Sequence, residues 1–188
     1  VSSRYTRRNR AEYRKIAGYI ARCVWQRQGN YMVFFPSYRL MEDVLQVYEE
    51  EFSVDWVRCV CQTPDMTEQE REGFLEEFQE REGTLVGFCV LGGIFSEGVD
   101  LTGESLIGAV IVGTGLPQIG SQREILKEYY DKKNHCGFDY AYRYPGMNKV
   151  LQAAGRVIRT KEDKGVILLL DDRFWDRDYQ EIFPREWQ

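Results

Sequence analysis

The chain has 188 residues, 43% of them hydrophobic and 29% charged, with a net charge of −5. That composition excludes disordered, collagen-like and low-complexity chains, and a domain of this size buries enough surface to need no disulfide or metal staple. The acidic balance excludes a bulk basic nucleic-acid binder, and no run of 18 apolar residues is present to span a membrane.

The opening VSSRYTRRNR is basic, but no apolar stretch follows it, so it is not a signal peptide. It reads either as a flexible solvated arm or as a contact for phosphates. A start at Val rather than Met leads us to expect a fragment of a longer chain. Residues 10–27 carry Ile16, Ala17, Ile20 and Val24 at helical spacing. A first apolar run of strand length, YMVFF at 31–35, comes next, and a second helix is expected over 39–51. The run WVRCVC at 56–61 is a second strand. Thr67 and Glu70 form a capping box for a third helix, with Phe74, Leu75 and Phe78 as its inward stripe. Strands follow at 85–91 (LVGFCVL) and 106–112 (LIGAVIV), helices at 121–133 and 146–160, and a last strand, VILLL, at 166–170. Most of these runs are continuously apolar, which suits strands buried on both faces of a parallel sheet. Strands alternating with helices predict an α/β open sheet, and no linker or repeat divides residues 1–188, so one domain is expected.

The cysteines (Cys23, Cys59, Cys61, Cys89 and Cys136) are odd in number and contain no C-x-x-C pair. They read as buried, reduced thiols of a cytosolic protein, and with His135 as the one histidine no zinc set forms. Acidic stretches at 42–51 and 65–82 read as solvated helix faces. Three features imitate nucleotide chemistry without supplying it. No Lys follows a Gly, so there is no P-loop. Asp171-Asp172 after the last strand resembles a Walker B end but is better read as polar punctuation. Gly113–Gln118 lacks the third glycine of a dinucleotide fingerprint. His135 reads as an exposed helix-end residue.

The strongest signal is QAAGRVIR at 152–159. On a continuous helix Gln152, Arg156 and Arg159 share one stripe, while Val150, Ala154 and Val157 face the sheet. Two aligned guanidiniums repel unless an anion lies between them, and a glycine inside a helix costs about 1 kcal/mol against Ala, so Gly155 implies a close approach to the backbone. The second segment, GGIFSEGVD at 92–100, puts Ser96, Glu97 and Asp100 at the carboxyl end of a strand, where α/β folds bind ligands. The third, FFPSY at 34–38, occupies another strand end.

Together the three segments resemble motifs IV, V and VI of superfamily 2 helicases, specifically the XPD/DinG branch of iron–sulfur-type 5′→3′ DNA helicases. The stretch from YRYPGMNKV to LLLDDRF looks most like bacterial DinG-type proteins, and the opening residues resemble the entry into their second motor lobe. Gln118 departs from that family, which usually carries an aromatic after Gly-Leu-Pro. The resemblance implies a RecA-like three-layer sandwich with a mostly parallel sheet, a lobe of the P-loop NTPase type without its own P-loop. It implies that ATP and Mg²⁺ are held mainly by a first lobe of the same polypeptide, which would also carry any iron–sulfur cluster; this chain would hold no metal. Arg156 and Arg159 would be arginine fingers, with Gln152 orienting their network. Gly98, Asp100 and Glu97 would meet the nucleotide. Ser37, Tyr38 and Ser96 would touch single-stranded DNA. A bacterial cytoplasmic protein is expected. The alternative is a catalytically inactive RecA-like lobe serving as a regulatory or protein-interaction module, which intact Arg156 and Arg159 argue against.

Overall fold

The computed structural model describes residues 1–79, 83–95, 106–158 and 163–187. The apolar runs are strands: β1 (Asn30–Phe35), β2 (Val57–Cys61), β3 (Thr84–Val90), β4 (Gly108–Val112) and β5 (Val166–Leu170). Before, between and after them lie α1 (Arg10–Val24), α2 (Tyr38–Glu51), α3 (Glu68–Glu77), α4 (Ser121–Asn134), α5 (Tyr144–Ala154) and the short α6 (Arg177–Gln180). Among the described residues the sheet has the order β2-β3-β1-β4-β5, and every pairing is parallel.

The central strands β1, β3 and β4 are buried along their whole length, which explains their continuous apolar runs. Alternate side chains serve opposite faces. Val33, Phe35, Val86, Phe88 and Val110 pack under Ile16, Ile20 and Val24 of α1 and Leu40, Val44 and Val47 of α2. Met32, Phe34, Cys89, Ala109 and Ile111 pack under Phe74 and Phe78 on the α3 side and Met147, Val150 and Ala153 of α5. Three layers result, with the sheet in the middle. The capping box forms as expected: the Glu70 carboxylate accepts from the Thr67 N–H at 2.7 Å, and the Glu70 N–H donates to Thr67 Oγ1 at 3.3 Å.

Four expectations need correction. The basic opening is not a flexible arm. Ser2 and Ser3 are buried, and the Ser2 N–H donates to Glu12 at 2.6 Å. Arg10 pairs with Glu50 at 2.7 Å, and Arg14 pairs with Glu51. Part of the acidic stretch on α2 is therefore the counter-surface of α1 rather than a purely solvated face. The fifth helix ends at Ala154, with Gly155 as its C-cap, rather than running to residue 160. It begins two residues earlier than expected, on a π-helical turn at Asp139–Arg143 that shows no simple apolar period. Finally, Cys61 is exposed, because β2 is an edge strand, while Cys59 is half-buried and Cys89 fully buried. Burial pushes the Cys59 thiol up to about 11.

His135 caps the end of α4 with φ of +59°, exposed as expected. No described helix is long and apolar enough to cross a membrane.

Gly87 sits where β3 passes under the α3 aromatics. A Cβ there would lie 2.5 Å from Phe78 Cζ and 3.2 Å from Phe74 Cζ. Overpacking of this kind costs about 1–3 kcal/mol. Gly87→Ala is therefore expected to lower the unfolding free energy by that amount, read as a lower urea midpoint with an unchanged m-value. An unshifted midpoint contradicts this account of the α3 contact.

Candidate functional site

All strand carboxyl ends open on one edge of the sheet. At the end of β1, Ser37 adopts an extended backbone and caps α2, its Oγ accepting from the Leu40 N–H at 3.4 Å. The capping oxygen still carries its own O–H, which remains able to donate. Tyr38 follows, half-buried. Its hydroxyl accepts from Gln62 Nε2 at 2.9 Å and donates to the Thr63 carbonyl at 3.4 Å. Burial raises the Tyr38 pKa above the ordinary phenol value, despite the opposing hydrogen bond from Gln62. Gln62 is a residue that sequence reasoning missed. Its one signal was a polar side chain placed directly after the apolar run of β2.

At the end of β3 the chain turns sharply. Gly92 has φ of +70°, and the Gly93 N–H donates to the Val90 carbonyl at 3.1 Å. A Cβ on Gly92 would sit 2.9 Å from Cε and 3.0 Å from Nζ of Lys149. Lys149 belongs to α5, three residues before Gln152, so this contact brings the Gly92 turn against the helix that carries Gln152. Phe95 anchors the next residues, stacked on Phe74 at 4.2 Å between ring centroids. Ser96, Glu97, Gly98 and Asp100 lie outside the described residues, as does Arg159.

On α5, Gln152 is exposed and Arg156 half-buried, while Val150, Ala154 and Val157 are buried as expected. Arg159 lies outside the described residues, so the stripe expected through Gln152, Arg156 and Arg159 is traced only as far as Arg156. The Gly155 N–H still bonds the Leu151 carbonyl at 2.9 Å, but those of Arg156 and Val157 reach back three residues, to Ala153 and Ala154. The regular helix ends at Ala154 in a tightened turn, and the Ile158 N–H also reaches the Ala154 carbonyl, at 3.4 Å. Gly155 is therefore a helix-end glycine with φ of −63°, and the mid-helix cost argued from sequence does not apply.

The loop after β4 fixes where α5 begins. Gly113 and Gly115 have φ of +84° and +67°, values that favour glycine. A Cβ on Gly115 would lie 2.6 Å from the Gly146 carbonyl oxygen, and one on Gly146 would lie 2.6 Å from that of Thr114. Backbone packs directly on backbone here. The imitation of a dinucleotide fingerprint is thus a helix-docking loop, and Gln118 at its end is exposed. Thr114 is 1% exposed, with its hydroxyl unpaired among the described residues.

The helicase C-terminal domain family matches residues 20–188. The chain belongs to that family. Its relatives make it a domain of the XPD/Rad3 type. The ATP-dependent DNA helicase XPD of Sulfolobus acidocaldarius is 29% identical over 185 residues, covering 93% of this chain and 30% of that protein. The regulator of telomere elongation helicase 1 homolog of Culex quinquefasciatus is 31% identical over 161 residues, covering 78% of this chain and 16% of that protein. A solved XPD helicase superposes with a TM-score of 0.76 at 25% identity, over 96% of this chain and 32% of that one. A DEAD-box helicase domain 2 bound to an RNA duplex superposes at 0.54 with 13% identity, over 92% of this chain and 56% of that one, which carries the fold alone. The expected RecA-like α/β architecture is shown. The chain spans 16–30% of the length of these curated relatives.

In this helicase domain the strand-end carboxylate Asp171 has a structural task. It is 5% exposed and accepts from the Ser3 N–H at 2.9 Å and hydroxyl at 2.6 Å. It also accepts from Arg173, from Nε at 2.7 Å and Nη2 at 3.0 Å. Burial alone would raise its pKa. The hydrogen bonds from Arg173 and Ser3, with the Arg173 charge, override that and hold the carboxyl well below the usual range. The folded carboxyl thus titrates below the unfolded one. Its contribution is present above about pH 4, near the unfolded value, and is lost as pH falls below it. Asp171→Asn leaves a largely buried Arg173 without its anion and is expected to destabilise by about 3–5 kcal/mol at neutral pH. It should also flatten the acid limb of the stability curve. Thermal melts across pH check both, and a variant that keeps the wild-type acid slope contradicts the assignment.

Proposed function

We propose that the chain is the second motor lobe of an ATP-dependent 5′→3′ DNA helicase, nearest to the DinG type and working in the bacterial cytoplasm. The observation that carries the reading is the convergence at one sheet edge of the Ser37–Tyr38 turn, the Gly92–Gly93 turn and the end of α5, with Lys149 packed on Gly92 as the joint. Sequence-distant segments meet there, as a nucleotide-gated contact requires. The chemistry fits an anionic substrate: Lys149, Gln152 and Arg156 all supply donors from one end of one helix.

In this reading ATP lies between two lobes. The first lobe holds its phosphates and Mg²⁺, which neutralises charge as the γ-phosphoryl group transfers. The buried carboxylate of this edge, Asp171, is already engaged by Arg173 and Ser3 and is not spare for a metal. Arg156 and Arg159 stabilise the developing phosphoryl charge, and Gln152 orients them. Glu97, Gly98 and Asp100 face the nucleotide. Ser37, Tyr38 and Ser96 contact single-stranded DNA through phosphates and ring faces, with little sequence preference. Lobe closure on ATP and reopening after hydrolysis then move the strand. Where the full protein carries an iron–sulfur cluster, it belongs to the first lobe: in this chain Cys89 is buried in the core and Cys61 points out from an edge strand.

The test is ATPase and strand-displacement kinetics of the full-length protein. Arg156→Lys and Arg159→Lys should each cut turnover by roughly 10³–10⁵-fold, because a point charge does not reproduce a planar two-donor fork. ATP affinity should fall much less, as the contact strengthens when charge develops. Melting temperature serves as the folding control. Near-normal turnover in both variants removes Arg156 and Arg159 from the catalytic assignment.

A further inference from the structure

Gln62 is 3% exposed, yet every polar atom of its amide is directed at a different part of the edge. Its backbone N–H donates to the Phe88 carbonyl at 2.8 Å, which continues the β2–β3 ladder by one residue. Its Oε1 accepts from the Val90 N–H at 3.0 Å, at the last residue of β3. Its Nε2 donates to the Tyr38 hydroxyl at 2.9 Å. The amide is also closed against the following turn, where a Cβ on Gly93 would come within 3.0 Å of Nε2. One buried side chain therefore touches the turn after β1 and the turn after β3.

The arrangement has a direction. Gln62 donates a hydrogen bond to the Tyr38 hydroxyl, and Tyr38 donates in turn to the Thr63 carbonyl across a longer gap of 3.4 Å. A ligand that draws on the Tyr38 O–H displaces the longer bond first and leaves the Gln62 bond in place. The amide thus connects Tyr38 to Val90 and Gly93 without passing through solvent. A buried amide that only filled space could be satisfied by its own strand neighbours. This one spans two turns, and the residues that follow Gly93 lead directly into 96–105.

We propose that Gln62 is a positioning residue that couples single-strand contact at Tyr38 to the end of β3 and the Gly92–Gly93 turn, so that DNA occupancy alters that turn. The proposal rests on the reading of Tyr38 as a strand contact.

The experiment is a double-mutant cycle in the full-length helicase with Gln62→Met, Tyr38→Phe and the pair, reading ATPase rate against concentration of a single-stranded oligonucleotide. A hydrogen bond is worth about 0.5–1.5 kcal/mol, so each single variant should raise the half-stimulating DNA concentration about 2- to 10-fold. The effect should fall on half-saturation more than on maximal rate. The double variant should be no worse than the poorer single one. If the two effects multiply, or if Gln62→Met responds to DNA like wild type, the coupling is overturned while the Tyr38 contact stands. If Tyr38→Phe responds like wild type, the contact itself falls, and the coupling with it. Should Gln62→Met fail to fold, amide exchange decides. The Val90 N–H is held by Gln62, so oligonucleotide binding should change exchange over the end of β3 in wild type and not in Tyr38→Phe. Unchanged exchange in wild type overturns the proposal.

Discussion

Parallel strands cannot be joined by a tight turn; each needs a crossover long enough to return to the starting edge. In this chain β1 is followed by α2, β2 by α3 and β4 by α4 and α5, and every pairing in the sheet is parallel. The cost is a long chain for a small sheet. The consequence is that every strand's carboxyl end opens on the same edge. Ser37, Gln62, Gly92, Thr114 and Asp171 all follow strand ends, and so they become neighbours although the sequence scatters them. No local motif has to build the site. The strand direction builds it, and the loops only decorate it.

Given that edge, the remaining freedom is the placement of α5. It is removed by contacts that no longer side chain can imitate. Gly115 and Gly146 meet backbone to backbone, and either Cβ would fall 2.6 Å from a carbonyl oxygen. Lys149 then lies on Gly92, and Val150, Ala153 and Ala154 seal against the sheet. With the helix start and one face fixed, its far end is delivered to the edge at a set height. Past Ala154 the turn tightens, with the Arg156 N–H bonding the Ala153 carbonyl at 3.2 Å.

This explains which parts of the molecule were legible in the sequence. Strands were, because burial on both faces demands unbroken apolar runs, and all five appeared within a residue or two of their bounds. The α3 capping box was legible, because its two hydrogen bonds are local. Interactions between distant segments were not. The basic opening looked free because its partners, Glu12, Glu50 and Asp171, are not marked as such by spacing. Gly155 looked mid-helix because a C-cap glycine and an interior glycine share the same letter, and only the hydrogen-bond pattern separates them. Gln62 carried almost no signal, since one polar residue after a strand is what any loop begins with. Of the nine residues assigned from sequence to the site, Ser37, Tyr38, Gln152 and Arg156 fall within the described structure; the other five lie outside it.

The edge also shows two kinds of polar group with different physical duties. Asp171 and Gln62 are almost wholly buried, and each is satisfied by several partners. Such groups are costly to break, because removing one partner strands another away from water. They hold turns in place. Gln152 is exposed, and Tyr38 keeps one long, weak hydrogen bond. Groups of this kind contribute little to stability, so they can change partners at little cost when a ligand arrives. The proposed motor role needs both: a frame that does not yield under load, and contacts that exchange many times without unfolding anything. The Gln62 amide lies where the two meet, buried like the frame but bonded to a hydroxyl that belongs to the exchanging set. That position is what the proposed coupling of Tyr38 to the turn after β3 rests on.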